Sequence, residues 1–214
     1  AGFCAAQLAL GDTAGPRLVY TNVAPRADHP DPRPGNQGER LVAAACPNGV
    51  VVVGANAQHC FSFLRGWAEI RAVDVPDAGS QFRSRDIFPP AVAQLAKGET
   101  SCLGERVDEL VPPAPERAVA YVDGYGNLKT TWHDAPAALG ERVQVTIGGA
   151  SAVATVTDGT FAVRHGEMSF APGSSGWDAR DRRVVFYEIL LRGGSAAERL
   201  GSPRAGAPVD VVPL

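Results

Sequence analysis

Two short stretches carry residue types able to do chemistry. The first, SQFRSRDIFPP (80–90), sets two arginines, two serines and an aspartate among apolar residues. Asp86 is suited to cap a helix running to about Lys97, with Pro89 and Pro90 in its first turn, where a missing N–H costs little. That cap leaves Phe82, Arg83, Ser84 and Arg85 unexplained, and arginines at a helix start favour anions. The second stretch, AYVDGYGNLKTTW (120–132), reads as a strand, a turn over 123–127, and a second strand. Gly124 and Gly126 permit tight backbone geometry. Asn127 offers a donor and an acceptor suited to a purine edge, and Tyr125 a ring for stacking. The same residues also suit a plain hairpin with an exposed tyrosine.

Two glycine-rich segments complete the set. In GSSGWD (173–178), Ser174, Ser175 and Gly176 can form a backbone nest for a carboxylate. In RGGSAAERLG (192–201), Gly193 and Gly194 let backbone approach a ligand, and Ser195 caps a short helix.

The elements that position these residues differ between the two halves. Residues 2–10 fit a core helix, RLVYTNV (17–23) a strand, and 24–40 a long loop rich in proline and glycine. LVAAAC (41–46) and VVVVG (50–54) flank the hairpin-type turn Pro47-Asn48-Gly49. Residues 56–66 read as a short helix, and AEIRAVDV (68–75) as a strand. Strands alternate with helices, and VVVV suits a strand covered on both faces, so residues 1–108 are expected to form an α/β domain with a mainly parallel sheet. Pro112, Pro113 and Pro115 mark a stiff linker over 109–116. Beyond it, AVAYVD, RVQVTIGG, SAVATVTDG, VVFYEILL and VDVVP are short alternating segments. They predict a smaller β-rich, barrel-like domain over 117–214, with one helix near 195–200.

Composition narrows the function classes. The 214 residues carry a net charge of −3 with pI about 5.8 and contain no basic tract, which argues against nucleic acid as a partner. Arginine supplies the positive charge apart from Lys97 and Lys129. No apolar run reaches the roughly 20 residues that span a bilayer, and AGFCAAQLAL lacks the basic flank of a signal peptide. Cys4, Cys46, Cys60 and Cys102 never form CxxC, so no metal site is expected. They read as free thiols in a reducing cytoplasm.

Taken in order, these segments resemble the S-adenosylmethionine (SAM) hydroxide adenosyltransferase family, which includes the SAM-dependent fluorinase and chlorinase. FRSRDIFPPAVAQLAKG is similar to the family's Phe-[His or Tyr]-[Gly or Ser]-Arg-Asp/Glu segment. VDGYGNLKTT is similar to its Asp-x-Phe-Gly-Asn-Leu-x-Thr segment, and GSSG with FYEILLRGGSAAERLG to its C-terminal ligand segment. VVVVGANAQ is a weaker echo of Gly-Pro-Asp-Asn-Gly. The resemblance spans nearly the whole chain. It implies an α/β domain followed by a β-rich one, and a homotrimer binding SAM between the first domain of one subunit and the second of the next. It implies SAM as substrate and no metal. By position, Asp123 and Ser175 would hold the methionine end. Tyr125 and Asn127 would take the adenine, the backbone at Ser195 and Ala196 its edge, and Phe82 and Ser84 the ribose 5′ carbon.

The chain departs from the family at the nucleophile. Water-forming relatives use an aspartate, an arginine and a histidine; here Ala24 stands for the aspartate and Arg83 for the histidine. Arg26 or Arg33 could stand for the arginine, although neither aligns well. The family's first strand and its ribose-binding acidic segment precede the point at which this sequence starts. SAM's sulfonium is already a good leaving group, so the protein mainly aligns and desolvates a nucleophile. Arg83 is permanently charged and cannot act as a base, but it can hold an anion. The resulting expectation is a divergent adenosyltransferase giving adenosine, or a 5′-substituted adenosine, and methionine, with Ser84 and Arg83 at the reacting end. The alternatives are a repurposed or inactive member binding an adenosine-like or other small molecule, and a biosynthetic cyclase on the same scaffold.

Overall fold

The valine run at 50–53 is covered on both sides. In the computed structural model, which describes residues 17–22, 38–77, 79–179 and 182–214 (of 175–179 and 182–184 the backbone alone), β2 (Leu41–Ala45) and β3 (Val50–Ala55) form an antiparallel hairpin. Residues 46–49 make the turn between them, with Gly49 N donating to Cys46 O at 3.0 Å. Alternation sends Val42, Ala44, Val50 and Val52 into a core with Phe61, Leu64, Ile70 and Ala72. Leu41, Ala43 and Val53 point the other way, onto Ile87, Phe88, Ala91 and Leu95.

The chain divides into two units between Ala114 and Pro115, inside the proline run. The first unit holds a five-stranded sheet of order β1 (Arg17–Thr21), β3, β2, β4 (Glu69–Val73), β5 (Leu103–Arg106). The expected mainly parallel α/β sheet is therefore corrected. Among the described residues of this sheet only β1 and β3 run parallel; β3–β2, β2–β4 and β4–β5 are antiparallel. Burial on both faces was read as a sign of parallel strands. Here the tight turn after Cys46 reverses the chain instead, while two separate cores cover the sheet. The short helix expected over 56–66 is a single 3-10 turn at Ser62–Leu64, enough to bury Phe61 and Leu64. Two helices carry the first candidate stretch, α1 (Arg83–Asp86) and α2 (Phe88–Ala96). The expected helix over 2–10 and most of the loop over 24–40 lie outside the described residues.

The second unit is one seven-stranded sheet. Its order is β12 (Val209–Pro213), β8 (Arg142–Ile147), β9 (Ala150–Val156), β10 (Met168–Ala179), β11 (Arg182–Leu191), β7 (Leu128–Thr130), β6 (Val119–Val122). Its two end strands meet at a bridge between Ala118 and Pro208, reinforced by Val209 N donating to Arg117 O at 2.7 Å. The sheet thus curls around Trp132, Phe170, Val143, Val145 and Ile189. Trp132 stands edge-on to Phe170 at 6.0 Å and donates from Nε1 to Val209 O at 3.1 Å, which satisfies its one polar atom. The helix expected near 195–200 is α3 (Ala196–Arg199).

Among the described residues no helix is long and apolar enough to cross a membrane, and no three His, Cys, Asp or Glu side chains gather to hold a metal. Cys46, Cys60 and Cys102 form no disulfide, and burial pushes the Cys46 thiol up to about 12.

Candidate functional site

Asp123 closes β6 and builds the turn that follows. Its Oδ1 accepts from the backbone N–H of Tyr125 at 2.9 Å and of Asn127 at 3.0 Å. Its Oδ2 accepts from Asn127 Nδ2 at 3.0 Å. Burial alone would raise the Asp123 pKa; the bonds from the Asn127 side chain, the two backbone N–H groups and the nearby Lys129 ammonium together hold it below the usual carboxylate range. The Asn127 Oδ1 remains the acceptor of that carboxamide. Tyr125 is 84% exposed at the tip, its ring open to a flat partner.

This turn is seated on the loop before α3. Gly126 has φ +79°, and a β-carbon there would lie 2.1 Å from Ser195 Oγ. Ala197 N donates to Gly126 O at 2.9 Å, while Ser195 Oγ accepts from Glu198 N at 3.1 Å and caps α3. Asp123, Tyr125, Asn127, Ser195 and Ala196 are thus brought into one neighbourhood. Ala196 is fully buried, backbone included, so the expected ligand contact at Ala196 is not offered by this surface.

Beneath the turn lies a charged cluster that the sequence did not single out. Lys129 on β7 and Glu188 on β11 are register partners, and their side chains form an ion pair. The two residues are only 7% and 4% exposed. Lys129 Nζ also stands 3.7 Å from Asp123 Oδ2. Among the described residues Glu188 Oε1 has no hydrogen-bond partner, and it lies against Gly173, where a β-carbon would stand 2.1 Å away. At this point β10 bulges, its pairing with β11 shifting between Pro172 and Gly176. Ser175 falls within that bulge; its side chain lies outside the description. The available signal was opposite charge in neighbouring apolar strands, the acid of FYEILL and the lysine of NLKTT.

Phe82, Arg83 and Ser84 belong to the first unit. Asp86 does not cap the long helix. It ends α1, and Ile87 precedes α2 without any side-chain cap. Arg85 takes the Asp86 carboxylate instead, in a two-pronged pair at 2.6 and 2.8 Å. That pair and a bond from Ser80 lower the Asp86 pKa to about 2. The Arg85 guanidinium also covers the half-exposed Phe82 ring, 4.6 Å from its centroid. Arg83 Nη1 donates to Glu39 O at 3.0 Å and its guanidinium sits 4.9 Å from the Phe88 ring centroid. Tyr20 donates to Ser84 O at 2.9 Å, tying β1 to α1. A cleft of about 390 Å³ beside these helices is lined by Asp74, Val75, Ser80, Asp86, Ile87 and Ala91, with none of Phe82, Arg83 or Ser84 in its wall. Ala24, Arg26 and Arg33 lie outside the described residues.

No protein-family model matches the chain, and no curated protein does. Solved structures do. The chain is similar to an uncharacterized conserved protein from Thermotoga maritima, with TM-score 0.62 and 23% identity over 82% of this chain and 72% of that one. It is also similar to a conserved hypothetical protein from Thermus thermophilus, with TM-score 0.63 and 26% identity over 91% of this chain and 74% of that one. The fold is therefore one that recurs in solved bacterial proteins.

Proposed function

We propose that the protein is a divergent SAM-dependent adenosyltransferase. A nucleophile attacks the 5′ carbon of SAM, the C5′–S bond breaks, and its electron pair leaves with sulfur as methionine. Water as nucleophile gives adenosine and releases a proton to solvent; an anion gives a 5′-substituted adenosine. The observation that carries this reading is the seating of Gly126 on Ser195, which joins two segments distant in sequence whose groups suit one adenine. Tyr125 supplies the stacking face, Asn127 Oδ1 an acceptor for the exocyclic amine, and the Ser195 backbone the remaining edge. In this reading Ser175 serves the methionine end. The working form in this reading is a cytoplasmic homotrimer.

The test is incubation with SAM in water and in the presence of halides and other anions, with product chromatography. Adenosine or a substituted adenosine appearing with equimolar methionine supports the reading. Intact SAM under every condition rejects it.

One observation favours a second reading, an adenosine-binding protein without turnover. Arg83, at the place of the water-activating histidine, is engaged by Glu39 O and Phe88 and holds the fold together. Adenosine binding without SAM cleavage distinguishes this reading from the first.

A further inference from the structure

We infer that Glu188, rather than Asp123, receives the ammonium group at the amino-acid end of the ligand. The inference rests on the adenosine-site reading above and names the chemistry of its other end. Asp123 has little left to offer: two backbone N–H groups, one amide N–H and the Lys129 ammonium already surround its two oxygens. Glu188 differs. One side of its carboxylate pairs with Lys129, while Oε1 is buried with no donor among the described residues. A buried carboxylate oxygen left without a donor costs free energy, and a ligand able to donate recovers it.

Charge points the same way. Among the described residues the cluster sets two acidic side chains, Asp123 and Glu188, against one basic one, Lys129, and so carries one excess negative charge. A cationic group is the partner that balances it. Gly173 covers Oε1, and the register shift takes residues between Pro172 and Gly176 out of the β10–β11 ladder, so shifting them breaks no ladder bond. A side chain at 173 would occupy the space next to Oε1.

Titration calorimetry on the full chain tests this with two neutral thioethers, S-adenosylhomocysteine and 5′-methylthioadenosine. They share the nucleoside and sulfur and differ in the amino-acid tail. The wild type should prefer the homocysteine compound by on the order of tenfold, as for a hydrogen bond to a charged group. Glu188→Gln, nearly isosteric, should erase that preference and leave 5′-methylthioadenosine binding unchanged. Gly173→Ala should do the same by filling the space. If the wild type shows no preference, or Glu188→Gln keeps it while Asp123→Asn removes it, the inference is overturned and the adenosine reading stands. If the wild type binds neither compound, nor SAM or adenosine, both fall together.

Discussion

Gly126 lies against Ser195 so closely that no β-carbon fits between them: the nearest Ser195 atom would be 2.1 Å away. Gly126→Ala therefore meets both a steric conflict and a left-handed backbone. It should destabilise the second unit by about 1–3 kcal/mol and weaken adenosine binding through loss of the Ala197–Gly126 bond. Urea unfolding and calorimetry read the two effects. A variant with unchanged midpoint and affinity would mean that the contact carries neither.

Lys129→Met leaves Glu188 and Asp123 as buried or half-buried carboxylates with no cation. The expected loss is about 3–5 kcal/mol, whereas the pairwise replacement Lys129→Met with Glu188→Met should cost much less, because no buried charge is left alone on β11. Chemical denaturation of the single and double variants decides the matter. Equal losses would show that the ion pair is not the source.

Arg83→Met removes a hydrogen bond to Glu39 O and a cation over Phe88. The first unit should lose about 1–2 kcal/mol. Under the proposed reading, Arg83→His, which installs the histidine of the family that the sequence resembles, should lose similar stability and gain little SAM hydrolysis, because Ala24 stands at the aspartate's place. A large gain in adenosine production on chromatography would assign the altered nucleophile site to Arg83 alone.

The Asp123 turn should respond to acid. Its carboxyl titrates below the ordinary carboxylate range in the folded protein, so it binds a proton more readily when unfolded. Its contribution is present above the ordinary pKa of about 4 and is lost as pH falls through the lowered folded value. Amide exchange at Tyr125 and Asn127 should quicken over that window relative to the rest of β6 and β7. Asp123→Asn should flatten the response.

Local chemistry was the legible part of this chain. The turn after Cys46, the strands at 41–45, 50–55 and 69–73, and the Ser195 cap follow from residues within a few positions of one another. Strand direction was not legible, since a valine run covered on both faces looks the same in parallel and antiparallel sheets. β10 was hidden because Pro172, Gly173 and the two serines after it read as a loop, whereas the strand carries them through a bulge. Asp86 misled for a related reason. Its type and position suit a cap, but Arg85 next door competes for the carboxylate with two bonds. Asp123 through Asn127 was recognisable because the turn is built from its own side chains. The Lys129–Glu188 pair was not, because its partners lie on strands whose adjacency no local pattern announces.

The bridge between Ala118 and Pro208 bears on time as well as shape. The Asp123 turn can form from bonds among near neighbours, on the timescale of a hairpin. Its seat on Ser195 and the closure of the sheet depend on contacts such as Trp132 to Val209, 77 residues apart. Such pairings are slow, because much chain entropy is lost before any contact rewards it. Refolding of the second unit should then be biphasic, an early turn followed by late closure.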